Sequence, residues 1–122
     1  MKCIIAGSNN VRSQFKIFDI LNNFQKFYGN ITHIISTGER GIDHFAMLWA
    51  NNNKIPVTVF YPDPVRGLRK GRFVRNQRMI DHIQMVSGAL IIIKDGKSKG
   101  SKNLIDKAWE SDIKIYEFKI EE

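Results

Sequence analysis

Apolar residues fall along this chain in short blocks whose spacing switches between a strand-like run and a helical period. Lys2-Cys3-Ile4-Ile5-Ala6 is a compact apolar run ending at Gly7-Ser8-Asn9-Asn10, the pattern of a strand entering a turn. Phe15, Phe18, Ile20, Leu21, Phe24 and Phe27 then recur at roughly helical spacing, with Ser13 placed as N-cap and Gly29 as the stop. His33-Ile34-Ile35-Ser36 predicts a second strand. A helix beginning near Ile42 carries Phe45, Leu48 and Trp49 on one face and runs into Asn51-Asn52-Asn53. Pro56-Val57-Thr58-Val59-Phe60-Tyr61 predicts a third strand, after which Pro62 and Pro64 keep the chain irregular. The next helix is expected over residues 73–84, with Val74, Met79 and Ile83 inward. Ala89-Leu90-Ile91-Ile92-Ile93 is apolar at every position, as suits a strand covered on both faces. A loop over residues 96–101, a helix marked by Leu104, Ile105, Ala108 and Trp109, and a strand over residues 113–118 close the pattern.

Five strands alternating with four helices define an α/β protein: a doubly wound sheet of about five mainly parallel strands with helices on both faces. Ligands of such sheets sit beyond the carboxyl ends of the strands, where the strand order reverses. Three glycine-containing loops fall at those ends: Gly7-Ser8-Asn9, Thr37-Gly38-Glu39-Arg40-Gly41, and Gly96-Lys97-Ser98-Lys99-Gly100-Ser101. The second opens a helix, whose first N–H groups and dipole favour an anion such as phosphate. Arg40 adds a fork-shaped cation there. Residues 61–71 form the longest irregular stretch, a length typical of lids and binding loops or of plain surface excursions.

Composition narrows the classes. The chain has 122 residues, 43% hydrophobic and 25% charged, as expected of one globular domain with a proper core. Cys3 is the only cysteine, so no disulfide framework or cysteine zinc site is available; within an apolar run it reads as a small buried hydrophobe. His33, His44 and His82 lack metal-site spacing, and neither a metal nor a cofactor is expected. No segment reads as a secretory signal or a membrane span, so a cytoplasmic location without membrane contact is the expectation. The net charge of +7 is uneven: Arg66, Arg69, Lys70, Arg72, Arg75 and Arg78 crowd into one stretch with no acidic residue among them. Arginine is the residue suited to bidentate phosphate recognition, so that stretch points to an anionic partner. The aromatic run from Phe15 to Phe27 fits core or a dimer surface, and a homo-oligomer is expected.

Four motifs, in order and spanning nearly the whole chain, resemble those of YspA-like members of the SLOG superfamily, a Rossmann-like group related to DprA and the LOG phosphoribohydrolases. They are Gly7-Ser8-Asn9, Thr37-Gly38-Glu39-Arg40-Gly41-Ile42-Asp43, Arg75-Asn76-Gln77-Arg78-Met79, and Gly96-Lys97-Ser98-Lys99-Gly100-Ser101. The chain departs from the family pattern at Asn9, usually arginine, at Thr37, usually glycine, and at Glu39, usually alanine. The resemblance implies one SLOG-like domain over residues 1–122 that binds a nucleotide-derived small molecule bearing phosphate, ADP-ribose-like or cyclic among the candidates. It implies ligand contacts from Gly7, Ser8, Asn9, Thr37, Gly38, Arg40, Gly41, Asp43, Arg75, Asn76, Ser98, Gly100 and Ser101. Asp43 is expected to orient Arg40 or to accept from a ribose hydroxyl.

Since superfamily members include sensors of nucleotide signals in bacterial conflict systems, sensing or sequestration is the first expectation for this chain, bacterial or phage. The alternative is LOG-like hydrolysis of a nucleotide N-glycosidic or phosphate bond. LOG enzymes carry a glutamate just after the last glycine loop, where this chain has Lys102-Asn103-Leu104; Asp106 is expected on a different helical face. The catalytic candidates are therefore Arg75, Asp43 and Glu39. A second alternative is DprA-like binding of single-stranded DNA, expected to be weak because only Phe73 offers a stacking ring near the arginines.

Overall fold

The computed structural model describes residues 1–96 and 101–121. Its elements alternate throughout: β1 (Lys2–Gly7), α1 (Gln14–Tyr28), β2 (His33–Ser36), α2 (Ile42–Asn52), β3 (Val57–Val59), α3 (Leu68–Met85), β4 (Ala89–Lys94), α4 (Lys102–Glu110) and β5 (Lys114–Lys119). The Ser13 hydroxyl accepts from the Lys16 amide at 3.3 Å, capping α1, and the Gly29 amide closes it on the Gln25 carbonyl at 3.2 Å.

The strands form one sheet in the order β3-β2-β1-β4-β5, with every neighbouring pair parallel. From β1 the chain winds outward to β3 through α1 and α2, then crosses back through α3 to β4 and on to β5 through α4. The winding reverses between β1 and β4, and their carboxyl ends part there to leave a crevice. Alternate strand residues feed two cores. Cys3, Ile5, Ile34, Ile91 and Ile93 pack with Leu21 and Phe24 of α1 and Ala46 and Trp49 of α2. Ile4, Ala6, Ile35, Leu90 and Ile92 pack with Met79, Ile80 and Ile83 of α3 and Leu104 and Ala108 of α4. β4 is thus apolar on both faces because helices cover both. Phe15 and Phe27, by contrast, lie outside the α1 core stripe and are exposed.

Two expectations need correction. Strand β3 is only three residues long, half its expected length; it is a sheet edge, and Pro56 has no N–H to extend the ladder. Helix α3 begins at Leu68, five residues earlier than expected. Its early turns contain Gly71, which reads as a loop residue in sequence but answers a close approach. A Cβ at position 71 would lie 2.3 Å from the Asp63 carbonyl oxygen. That approach ties the 61–67 connection down: the Asp63 amide donates to the Gly71 carbonyl at 3.2 Å, and the Asp63 carboxylate receives the Val65 amide at 2.9 Å. Among the described residues, no helix is long and apolar enough to cross a membrane.

Candidate functional site

A cleft of about 620 Å³ opens at the β1/β4 switch point. Ala6 and Gly7, at the end of β1, form its floor. One wall is the first three turns of α3, the other is the start of α4, and the loop before α2 supplies the rim.

The α3 wall is where the sequence departs from ordinary helix packing. Its buried stripe runs Gly71, Arg75, Asn76, Met79, Ile80, Ile83. The spacing is that of any core-facing helix, but the half beside the cleft is polar. Arg75 is only 4% exposed, and its Nε and Nη2 both donate to the Asn76 side-chain oxygen at 3.3 Å. Asn76 in turn donates to the Asn103 side-chain oxygen on α4 at 3.1 Å. Glu39, from the rim, reaches both arginines, 3.0 Å from Arg72 Nη2 and 3.6 Å from Arg75 Nη2. Two buried donors are left over: among the described residues, Arg72 Nε and Arg75 Nη1 have no partner. Burial lowers the Arg75 pKa, against the pull of Glu39 and Asp43. Orphaned guanidinium donors are costly inside a protein.

Behind Arg75 lies Asp43, 2% exposed at the start of α2, with the Thr37 hydroxyl donating to its carboxylate. Its pKa is pushed up to about 7, chiefly by burial; the Thr37 bond opposes this, the Glu39 charge adds to it, and Arg75 pulls it back. Asp43 thus holds its proton well above the ordinary carboxylate range.

Gly7, Asn9, Thr37, Glu39, Asp43, Arg75, Asn76 and Ser101 all line this cleft. Others do not. Ser8 is buried beneath it, its hydroxyl accepting from the Asp95 amide at 3.1 Å and its own amide donating to the Ile93 carbonyl at 3.3 Å. Gly38 and Gly41 are likewise outside the lining. Gly41, with φ of 82°, packs so tightly on the first loop that a Cβ would lie 2.3 Å from the Ser8 carbonyl oxygen. Arg40 projects into a separate recess with Asn9, His44 and Phe45. Asp43 therefore accepts from Thr37 and feels the charge of Arg75, and among the described residues no ion pair joins it to Arg40, which it was expected to orient. Ser98 and Gly100 lie outside the described residues.

Three of the amides around the start of α2 are engaged within the rim itself. The Gly38 amide donates to the Ser36 hydroxyl at 3.1 Å, that of Glu39 to the Thr37 hydroxyl at 3.3 Å, and that of Ile42 to the Ser8 carbonyl at 3.1 Å. These bonds shape the rim. Arg72, Asn103 and Asp106, which the sequence reading did not assign to the site, line the cleft as well. Asp106 stands one helical turn beyond Lys102, 3.4 Å from its amine, and faces the cleft after all. The arginine stretch is partly neutralised from outside itself: Asp63 lies 3.8 Å from Arg66 and 3.5 Å from Arg78, and Glu39 takes Arg72.

A parallel sheet of order 3-2-1-4-5 with a polar cleft at its switch point defines a Rossmann-like α/β protein. The family model described as "YspA, cpYpsA-related SLOG family" matches residues 1–67, more than half of the chain, and the chain belongs to that family. The match covers β1 through β3, including the Gly7 loop and the rim from Thr37 to Asp43; Arg72 and Arg75 lie beyond it. No curated protein and no solved structure matched the chain.

Proposed function

We propose that the cleft binds a nucleotide-derived small molecule through its phosphate, as a sensing or sequestering site. The observation that carries this reading is the pair of buried donors, Arg72 Nε and Arg75 Nη1, one helical turn apart on the same wall and without a partner among the described residues. A phosphate oxygen is the acceptor that satisfies such forks best. Behind the arginines, Asn76 and Asn103 hold Arg75 in place through the network described above. Toward the mouth, Leu68 and Phe73 add apolar surface, and the Arg69 guanidinium lies 5.6 Å from the Phe73 ring centre, a setting suited to a flat heterocycle. The test is a thermal-shift panel of nucleotides, cyclic nucleotides and ADP-ribose on the wild type and on Arg75→Met. Binding to the folded state raises the melting temperature. A ligand that does so for the wild type, is recovered intact, and fails on the variant supports the reading; an equal shift in both proteins overturns it.

A second reading, hydrolysis of an N-glycosidic bond, is favoured by Asp43. A buried carboxyl in the cleft lining whose pKa is pushed up to about 7 is suited to donate a proton to a departing base, while Glu39 or Asp106 offers a carboxylate to handle water or an oxocarbenium-like sugar. Release of free base by the wild type, lowered by orders of magnitude in Asp43→Asn, is the expected signature.

A further inference from the structure

Glu39 lies where a ligand's own anionic group would lie. Its Oε1 is 3.0 Å from Arg72 Nη2 and its Oε2 is 3.6 Å from Arg75 Nη2, so one carboxylate bridges both guanidinium groups. It takes one nitrogen from each and leaves one on each, Arg72 Nε and Arg75 Nη1, buried without a partner among the described residues. The bridge is held from below: the Glu39 amide donates to the Thr37 hydroxyl, whose own proton goes to Asp43. Two positive charges and one negative leave the arginine pair with a single net positive charge. Among the described lining residues the other cations are exposed and so screened by solvent: Lys102 is paired with Asp106, and Arg69 lies over the Phe73 ring at the mouth, while Asp43 adds only negative charge.

From this geometry we propose that Glu39 sets the charge of the ligand: it is a resident counter-ion that matches the cleft to a singly charged phosphodiester rather than a doubly charged terminal phosphate. The inference rests on the reading of the cleft as a phosphate site and narrows its ligand to molecules whose phosphate is bridging or cyclic. The physical basis is that attraction to the site grows in proportion to the ligand's charge, whereas the desolvation penalty of a buried ion grows with its square. A singly charged phosphate neutralises the pair. A doubly charged one leaves an uncompensated negative charge beside Glu39.

The experiment compares two probes that differ by one charge, adenosine 5′-monophosphate and its phosphate methyl ester, at pH 8, where the monophosphate is fully dianionic. Affinities are measured by calorimetry for the wild type, Glu39→Gln and Glu39→Asp, each checked for folding by its thermal transition. The wild type should prefer the ester. Removing the Glu39 charge should tighten the ester roughly tenfold and the monophosphate roughly a hundredfold, because the lost repulsion scales with ligand charge. Glu39→Asp should keep the wild-type preference. Equal effects of Glu39→Gln on the two probes, or weaker binding of both, would overturn the counter-ion role and leave the phosphate site standing. Failure of every protein to bind either probe would overturn the phosphate reading and this inference with it.

Discussion

The buried carboxyl of Asp43 gives the sharpest test of how the site is built. Its pKa of about 7 lies well above the ordinary value of 3.8, so the folded protein holds a proton through a range in which the unfolded chain has released it. Stability must therefore fall as pH rises through that window: the contribution is full below about pH 4 and is lost as pH passes about 7. Each pH unit in between removes about 1.4 kcal/mol, so the group withdraws roughly 3–4 kcal/mol between pH 4 and pH 7. Asp43→Asn removes the titration while its amide oxygen can still accept from Thr37. The variant and the wild type should be close in stability near pH 4. By pH 7.5 the variant should be the more stable by about 3 kcal/mol. Urea unfolding at half-unit pH steps, followed by the fluorescence of buried Trp49, measures the difference directly. A difference that stays constant with pH would refute the claim that burial, opposed by Thr37 and Arg75 and aided by Glu39, governs this carboxyl.

Arg75→Met should leave stability unchanged or raise it by about 1–3 kcal/mol, since a buried, partly unsatisfied cation gives way to an apolar side chain beside Met79 while Glu39 keeps Arg72; a fall of more than 1 kcal/mol in urea unfolding would make Arg75 a structural residue. Gly71→Ala should cost about 1–3 kcal/mol despite the better helix propensity of alanine, because its Cβ would lie 2.3 Å from the Asp63 carbonyl oxygen; a stabilised variant would show that the 61–67 connection is not held there. Single-stranded DNA should bind weakly and with a steep salt dependence, because Arg66 and Arg78 share Asp63 and Arg72 is held by Glu39; binding that survives raised salt and is lost in Arg72→Ala/Arg75→Ala would put nucleic acid first.

Strands, sheet class and helix order were legible in the sequence because each apolar block carries its own period, and because the all-apolar block at Ala89–Ile93 has one structural home. The site was legible only in part. Motif positions placed Thr37, Asp43, Arg75 and Asn76 together, but not the hydrogen bonds of the rim amides: Ser36 and Thr37 take theirs in local two-residue turns that the glycine pattern does not mark, and the Ser8 carbonyl meets the Ile42 amide only once the first loop packs on the second. Arg72 went unassigned because the glycines and prolines around it mask the start of α3, and a side chain cannot be placed on a wall before its helix has a beginning. Asp106 was set on the wrong face for a related reason: its register relative to Lys102 depends on α4 starting at residue 102.

The division of labour along the chain follows from α3. Residues 79, 80 and 83 of its buried stripe are apolar and close the second core, while residues 75 and 76, one turn earlier on the same stripe, are an arginine and an asparagine. A helix under selection for packing alone would carry the apolar stripe through both turns. The stretch that matches the family model, residues 1–67, supplies a floor and a rim whose described amides are largely engaged in holding their own shape. The donors left open, Arg72 Nε and Arg75 Nη1, come from residues beyond it, and Glu39 is the point where the two parts meet. The stretch that matches the family model therefore builds floor and rim, and the side chains of α3, with Glu39 on the rim, give the cleft its charge.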